Sequence, residues 1–211
     1  MLAVQANLVR KALSPYSGSS LLELGGGHGQ LLDTYQALSI DATLHGSAPS
    51  CFTRLRDEGF ERPTVVSPLD QLPFADRSFD VVVAIRLVSH LVQWQTVVTE
   101  MCRVAREAVL IDYPSRYSLN AIAPMMFSLK KKLEGNTRVF ALFNKHEITQ
   151  PFLASGFGCI SEAKQFFLPM ALHRMLGSSP VAGWLEDFSG HIGLTRKFGS
   201  PVILLATRSG T

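Results

Sequence analysis

The chain has 211 residues, of which 46% are hydrophobic and 18% are charged, and its formal net charge is +3. This composition predicts one packed domain and excludes intrinsic disorder, while the small charge excess neither demands nucleic acid nor excludes an anionic substrate. The longest apolar runs, such as VVVAI and VILLA, are far shorter than the roughly 18 residues of a membrane span.

The three cysteines, Cys51, Cys102 and Cys159, are widely spaced and form no Cys-x-x-Cys pair. Neither a disulfide framework nor a zinc site is therefore predicted. The N-terminus lacks the charged-then-apolar layout of a signal peptide. We expect a cytoplasmic protein without a metal ion.

Strand and helix patterns alternate over the first half of the chain. Helical spacing of apolar residues predicts helices over 2–13, 31–38, 51–58 and 94–105. Apolar and β-branched runs predict strands over 19–24, 42–45, 64–66, 79–85 and 108–113. Because this alternation implies parallel strands joined by right-handed crossovers, we predict an α/β sheet with its ligand site at the carboxyl ends of the strands.

The last third of the chain follows a different pattern. We predict a helix over 145–154, a strand over 159–164, a helical stretch within 169–190 and a final strand over 201–207. Asn144 is expected to cap the first of these helices, with Glu147 reaching back as in a capping box.

The stretch LLELGGGHGQLL, residues 21–32, joins a strand to a helix through four glycines. Bare backbone at such a turn allows a ligand to approach closely, and the exposed N–H groups favour a negative group. A dinucleotide loop of the form G-x-G-x-x-G fails here, because its third glycine is Gln30. The order E-x-G-x-G-x-G fits throughout, with Glu23, Gly25, Gly27 and Gly29.

LLELGGGHG resembles the first motif of the class I S-adenosylmethionine-dependent methyltransferases. LPFADRSFDVVVAIRLVSHL, residues 72–91, resembles the segment around their fourth strand, and EMCRVAREAVLIDYP resembles the helix and strand that follow. KHEITQPFLASGFGCI is a weaker match to a later helix and strand. The resemblance implies a three-layer α-β-α sandwich with a Rossmann-like, mostly parallel seven-stranded sheet and an antiparallel last strand.

The resemblance also assigns a cofactor, S-adenosylmethionine, and residues that hold it. The acid of the first motif, here Glu23, helps to hold the amino group of the methionine moiety, and the glycine backbone packs against the cofactor. The matching loop residues are Gly25, Gly26, Gly27, His28 and Gly29. The alternative for Glu23 is a salt-bridged strand end.

Two acids that family members carry are missing. An acid normally ends the second strand and binds the ribose hydroxyls, whereas this chain has His45 or Gly46 there. His45 is either a weaker ribose ligand or a polar strand end. Ahead of LPF, Ser67 or Pro68 replaces an acid that contacts adenine. Asp70 is the substitute we predict, and Leu69 is a further predicted cofactor contact.

Candidates for the chemistry follow the fourth and fifth predicted strands. Methyl transfer is an in-line displacement, so the enzyme mainly positions the reactants and, where needed, removes a proton. We predict catalytic roles for His90, as general base, and for Arg86 and Tyr113, with Asp112 as a further candidate. His90 alternatively packs at a helix start, and Arg86 either binds an anion, including one on the cofactor, or pairs with a surface acid.

Substrate choice is expected to reside in two helical insertions of a single domain spanning 1–211, at about 114–143 and about 169–199. The first has apolar residues at helical intervals and serves as a lid or as core. Arg138, His173 and Arg174 are the predicted sites of anion recognition. Outward-facing helix residues are the alternative.

The predicted function is methyl transfer to an oxygen, nitrogen or carbon of a small, partly apolar metabolite, as in the quinone-biosynthesis and natural-product enzymes that the chain resembles. The alternative is a non-catalytic module that binds S-adenosylmethionine or S-adenosylhomocysteine. A nicotinamide-dependent oxidoreductase is disfavoured by Gln30. We expect a small-molecule substrate, no nucleic-acid partner and no integral membrane segment, and a homodimer is compatible with the sequence.

Overall fold

Seven strands form one mixed sheet in the part of the chain that the structure describes. The structure is a computed structural model, and it describes residues 2–26, 28–59, 63–118, 140–166 and 199–210. The strands are β1 (Ser20–Leu24), β2 (Asp41–Gly46), β3 (Thr64–Val66), β4 (Phe79–Ala84), β5 (Ala105–Tyr113), β6 (Cys159–Phe166) and β7 (Ser200–Thr207). Their order is β3-β2-β1-β4-β5-β7-β6, in which β1 to β5 run parallel and β7 runs antiparallel to both of its neighbours. The predicted sheet is confirmed.

Five α-helices and three 3-10 turns accompany the sheet within the described residues. The helices are α1 (Leu2–Leu13), α2 (Leu32–Ala37), α3 (Thr53–Asp57), α4 (Trp94–Val104) and α5 (Lys145–Ala154). The 3-10 turns are Ser14–Tyr16, Pro49–Phe52 and Val88–His90. The predicted bounds of α1, β3 and α5 agree with the structure. The start of the predicted helix at 51 is wrong, because a turn with Pro49 at its beginning occupies those residues and α3 starts at Thr53.

Helices cover both faces of the sheet, which is why the central strands are continuously apolar. In β4, Val81 and Val83 pack with α1 and α2 on one face, while Val82 and Ala84 pack with α4 and α5 on the other. All four side chains are fully buried. A strand buried on both faces shows an unbroken apolar run rather than alternation, as FDVVVA does. The three-layer α-β-α sandwich is thus confirmed.

The acid of the SFD motif ties two strands together. Asp80 Oδ2 accepts hydrogen bonds from the backbone N–H of Ser20 at 2.9 Å and from its hydroxyl at 2.7 Å. The other oxygen, Oδ1, pairs with the Arg106 guanidinium. These residues lie at the amino ends of β1 and β4, opposite the predicted ligand site, so the role of Asp80 is structural.

The LPF segment is held from α4 by one side chain. The Arg103 guanidinium donates to the carbonyl oxygens of Leu72 at 3.0 Å and Phe74 at 2.8 Å, and it pairs with Asp76 and Glu100. The loop therefore has a fixed path before β4 begins.

Several predictions concern residues outside the described ones. Most of both predicted helical insertions, at 119–139 and 167–198, falls in this category. Within the described ranges, no helix is long and apolar enough to cross a membrane. The same ranges hold no group of three or more metal-ligating side chains, and all three cysteines are free.

Candidate active site

A cavity of about 400 Å³ opens at the carboxyl ends of β1 and β4. These strands are adjacent in the sheet, although β2 and β3 lie between them in the chain, so the strand order reverses here. Ligands of open α/β sheets bind at such a switch point. The lining residues are Glu23, Gly25, Gly26, His28, Gly29, Gln30, Leu31, Ile85, Arg86 and His90.

Glu23 supplies a buried acid to this cavity. Its residue is 4% exposed, and its Oε2 atom has no hydrogen-bond partner among the described residues. Burial raises the pKa of Glu23 to about 7, and the neighbouring Tyr35 hydroxyl opposes this rise. That hydroxyl also lacks a partner in hydrogen-bonding geometry among the described residues, and burial followed by the nearby Glu23 raises the pKa of Tyr35. Glu23 thus lines the cavity with a buried acid, one oxygen of which is an unpartnered acceptor in the described part of the chain.

The salt-bridged alternative for Glu23 finds no support, since none of the ion pairs among described residues involves it. An unpartnered buried acceptor is costly, and such atoms call for a specific explanation. A cationic or N–H-bearing group entering the cavity would satisfy it.

Close packing in the glycine loop, residues 25–29, depends on the missing side chains. A Cβ at Gly26 would lie 2.8 Å from Glu23 Cδ, so only glycine leaves the acid in its place. Gly29 has φ +64, and a Cβ there would lie 2.7 Å from Leu55 Cδ2. His28 is exposed between them, and Gly27 lies outside the described residues.

Arg86 and His90 line the opposite wall, in the loop after β4. Arg86 is exposed, has a left-handed backbone with φ +59, and makes no ion pair within the described part of the chain. His90 ends the 3-10 turn, and its ring centroid is 5.6 Å from that of the exposed Phe140. The cavity therefore combines a deep acid with a guanidinium and an imidazole at its wall.

Asp112 lies under this loop at the end of β5. It is 5% exposed and accepts hydrogen bonds from the Arg86 backbone N–H at 2.5 Å and from Gln5 Nε2 at 3.1 Å. Burial raises the pKa of Asp112 to about 6, and the hydrogen bond from Arg86 opposes this rise. Gln5 and Tyr35 were not predicted as site residues. Gln5 shares the buried stripe of α1 with Val9 and Leu13, and a polar residue on that stripe was the available signal.

His45 and Gly46 do not line the cavity. His45 is fully buried, with Nε2 at 2.8 Å from Ser67 Oγ and with no partner for Nδ1 among the residues that the structure describes. Burial lowers the pKa of His45, and the hydrogen bond with Ser67 opposes this change. Its carbonyl oxygen accepts the Gly25 N–H at 2.9 Å. A Cβ at Gly46 would lie 2.9 Å from Cys51 Cβ, so the end of β2 has no space for an acid at that position.

The remaining predicted residues lie elsewhere. Leu69 and Asp70 line a separate cavity of about 260 Å³. Tyr113 is buried outside the main cavity, and its hydroxyl donates to Glu162 Oε1 at 2.6 Å. Burial, and then its contact with Glu162, raises the pKa of Tyr113. The predicted anion-binding residues Arg138, His173 and Arg174 lie outside the described residues.

Comparisons with known proteins agree with this geometry. Residues 22–111 match a family described as a methyltransferase domain. No curated protein sequence is significantly similar to the chain.

Solved structures with the same fold are similar over nearly the whole chain. An S-adenosylmethionine-dependent methyltransferase from Archaeoglobus fulgidus is 17% identical, with 96% of this chain and 94% of that chain covered and a TM-score of 0.61. Magnesium protoporphyrin IX methyltransferase from Synechocystis PCC 6803, with bound S-adenosylhomocysteine, is 15% identical and has a TM-score of 0.61. The match covers 97% of this chain and 82% of that chain. Phosphoethanolamine N-methyltransferase 2 from Haemonchus contortus, in complex with S-adenosylmethionine, is 14% identical and has a TM-score of 0.61. The match covers 92% of this chain and 49% of that chain. Likenesses at these identities show the shared fold.

Proposed function

We propose that the chain is a class I S-adenosylmethionine-dependent methyltransferase, because residues 22–111 match a methyltransferase domain, and that its main cavity holds the methionine moiety of that cofactor. S-adenosylmethionine is the cofactor and methyl transfer is the activity of this family. The finer assignments below, of substrate and of individual residues, are our proposals.

The observation that carries the proposal is the unpartnered Oε2 of Glu23 in the cavity. An ammonium group is the partner that a buried carboxylate accepts most strongly. Arg86 lines the same cavity without an ion pair in the described residues, and a guanidinium matches a carboxylate in geometry and charge. Together they complement the zwitterion of an amino acid, which is the methionine end of the cofactor.

When bound, the cofactor supplies a methyl group already activated by its sulfonium. The protein then has to orient the acceptor and, for an O–H or N–H acceptor, to remove its proton. We assign proton removal to His90, because a neutral imidazole accepts a proton near neutral pH. Glu23 and the glycine loop hold the methionine moiety in place.

For the adenosyl moiety, we propose Leu69 and Asp70 as contacts, since they line a cavity of their own beside α4. His45 contributes through its carbonyl, which anchors Gly25. Tyr113 is proposed to act indirectly, through the Glu162 carboxylate to which it donates.

The acceptor is proposed to be a small, partly apolar molecule. Two exposed apolar side chains support this choice. They are Phe140, whose ring lies beside that of His90, and Val92, which follows His90 by two residues in the chain. Helical insertions at about 114–143 and 169–199, with Arg138, His173 and Arg174, complete the proposed substrate site. A quinone-type substrate, a cytoplasmic location, a homodimer and the lack of a nucleic-acid partner stay predictions.

A non-catalytic cofactor-binding module is the second candidate. It is favoured by the end of β2, where neither His45 nor Gly46 offers a carboxylate to ribose hydroxyls. Weak cofactor binding without turnover would support it.

Calorimetry with S-adenosylmethionine, S-adenosylhomocysteine and NAD tests the cavity. We expect binding of the two adenosyl compounds, no binding of NAD, and a rise in Kd of at least about tenfold for Glu23→Ala. Asp41→Ala, which removes an exposed acid at the opposite end of β2, is the matched control and should bind normally. Equal Kd values for Glu23→Ala and the wild type would refute the proposed role of Glu23.

Turnover of a panel of small acceptors tests the base. His90→Ala should lower kcat by about 10²- to 10⁴-fold while leaving the Kd for S-adenosylmethionine unchanged. His146→Ala, a change at an exposed histidine of α5, is the control. A His90→Ala enzyme with wild-type kcat would exclude His90 as the base.

A further inference from the structure

The loop that carries Arg86 is held by a buried acid with two defined partners. Asp112 Oδ1 accepts the Arg86 backbone N–H at 2.5 Å, and Oδ2 accepts from Gln5 Nε2 at 3.1 Å. Both Asp112 and Gln5 are nearly inaccessible to solvent, at 5% and 7% exposure. The three residues come from β5, the loop after β4 and α1, so the arrangement exists only in the folded chain.

Arg86 needs such a restraint because its backbone is in the left-handed region, with φ +59. Residues other than glycine rarely adopt this backbone conformation, and it persists only where the surrounding structure imposes it. The Arg86 backbone N–H lies 2.5 Å from a carboxylate oxygen of Asp112, and hydrogen bonds to an ionised carboxylate are stronger than bonds between neutral groups. The conformation directs the Arg86 side chain to the wall of the main cavity.

The pairing of β4 with β5 does not require the side chain of Asp112. The backbone ladder joins β4 to β5 through pairs that end with Ala84 and Ile111, two residues before Arg86 and one residue before Asp112. Apolar residues fill the neighbouring positions of β5. A buried carboxylate among them costs stability, so its presence calls for a role other than strand pairing.

We propose that Asp112 is a positioning residue for Arg86, and that Gln5 of α1 orients the Asp112 carboxylate by holding its second oxygen. The N-terminal helix is then part of the support of the active site, although Gln5 does not line the main cavity. This inference rests on the proposed function only in that Arg86 binds the cofactor carboxylate.

The first test measures the loop itself and needs no cofactor. In the wild-type protein, the Arg86 amide should show a downfield proton resonance and slow hydrogen exchange, because its N–H is bonded to a carboxylate. Asp112→Ala should shift that resonance upfield and speed the exchange, while amides in β3, at the far edge of the sheet, stay unchanged. An Arg86 amide that is insensitive to Asp112→Ala would overturn the proposal.

The second test exchanges the hydrogen-bonding groups. Gln5→Glu alone places two carboxylates face to face and should weaken S-adenosylmethionine binding by about tenfold. Adding Asp112→Asn should restore binding, because the Asn amide donates to the new carboxylate on α1 while its carbonyl still accepts from Arg86. Failure of the second change to recover binding would count against the proposed link from Gln5 to Asp112.

A double-mutant cycle separates this inference from the proposed function. Asp112→Ala should weaken binding by about tenfold in the wild type but have little further effect in Arg86→Ala, because the two act through one group. Full additivity would overturn the positioning role. Wild-type binding by Arg86→Ala itself would refute the proposed carboxylate contact, and the Arg86 amide measurement would then decide the positioning role alone.

Discussion

Glu23 is a proposed cofactor-binding residue whose burial lowers the stability of the folded chain once its carboxyl ionises. The residue is 4% exposed, and burial raises the pKa of its carboxyl to about 7 from a usual value of 4.5. The folded chain therefore binds a proton more tightly than the unfolded chain does. The stability that this proton contributes is fully present below pH 4.5 and is lost as the pH rises towards 7, when the buried group must ionise.

Glu23→Gln should reveal this cost. At pH 8 we expect the variant to be more stable than the wild type by on the order of 3 kcal/mol, at about 1.4 kcal/mol for each pKa unit. At pH 4.5 the two proteins should differ little, because the wild-type acid is then neutral in the folded chain. Urea unfolding at both pH values measures the difference, and a pH-independent difference would contradict the explanation.

Gly26 and Gly18 offer a contrast between binding and stability. Gly26→Ala places a Cβ 2.8 Å from Glu23 Cδ, so we expect weaker S-adenosylmethionine binding, by about tenfold or more, as the acid is displaced. Gly18 has φ +77 and open space around it, at the amino end of β1. Gly18→Ala should therefore lower stability by about 1 kcal/mol and leave binding unchanged. Calorimetry and urea unfolding of both variants test the contrast, which a loss of binding in Gly18→Ala would contradict.

Site residues differ in how far sequence reveals them. Glu23 lies near the end of β1, while Arg86 and His90 follow β4. The periodicity marks both strands, and parallel strands bring their carboxyl ends to one edge of the sheet. The contact of Gln5 with Asp112 joins residues 107 positions apart, and it depends on how α1 packs on the sheet. No local pattern encodes that packing.

Among the elements, the LPF loop depends on one side chain of α4. Arg103→Ala should destabilise the protein by about 1–3 kcal/mol, because it removes donors from the carbonyl oxygens of Leu72 and Phe74. Arg54 is the matched control, since it makes an exposed pair with Glu58 one turn along α3. Arg54→Ala should cost less than about 0.5 kcal/mol. Chemical unfolding compares the two, and equal losses would show that the loop carbonyls do not depend on Arg103.

The local sequence determines the bounds of some helices and strands, whereas pairing with a neighbouring strand determines the bounds of others. Burial on both faces makes β4 recognisable from its letters alone. β5 instead begins at Ala105, three residues before its predicted start, because Ala105 pairs with Phe79 across a register shift. The partner strand, rather than the residues of β5, sets that boundary. At α5, by contrast, the predicted cap is local, and Asn144 Oδ1 accepts the Glu147 N–H at 2.8 Å.

At the scale of the whole molecule, the last strand completes the sheet. β7 lies between β5 and β6 and is the strand partner of β6 within the described sheet. Its residues enter both cores, with Val202 and Leu204 on one face and Ile203 on the other. The resemblance implied an antiparallel last strand, but the order β5-β7-β6 was not predicted, since a strand reached from a distant part of the chain leaves no local signal of its partners.

Removal of β7 should therefore prevent folding altogether. A chain ending at Gly199 leaves β5 with one exposed edge and β6 without a partner, so we expect no cooperative unfolding transition and no dispersed NMR spectrum. A chain ending at Ser209, which keeps the hydrogen bonds of Ser209 to Gly156 and Gly158, is the control. Cooperative thermal unfolding of the shorter chain would show that β7 is dispensable.

The crowding around Gly46 restricts the order in which mutations can accumulate. A Cβ at this position would lie 2.9 Å from Cys51 Cβ and 3.0 Å from Phe52 Cζ. An aspartate arising first at position 46 would disrupt the packing of β2 before it improved any ligand contact. An acid at position 46 therefore requires earlier changes at Cys51 and Phe52 that clear space for its Cβ.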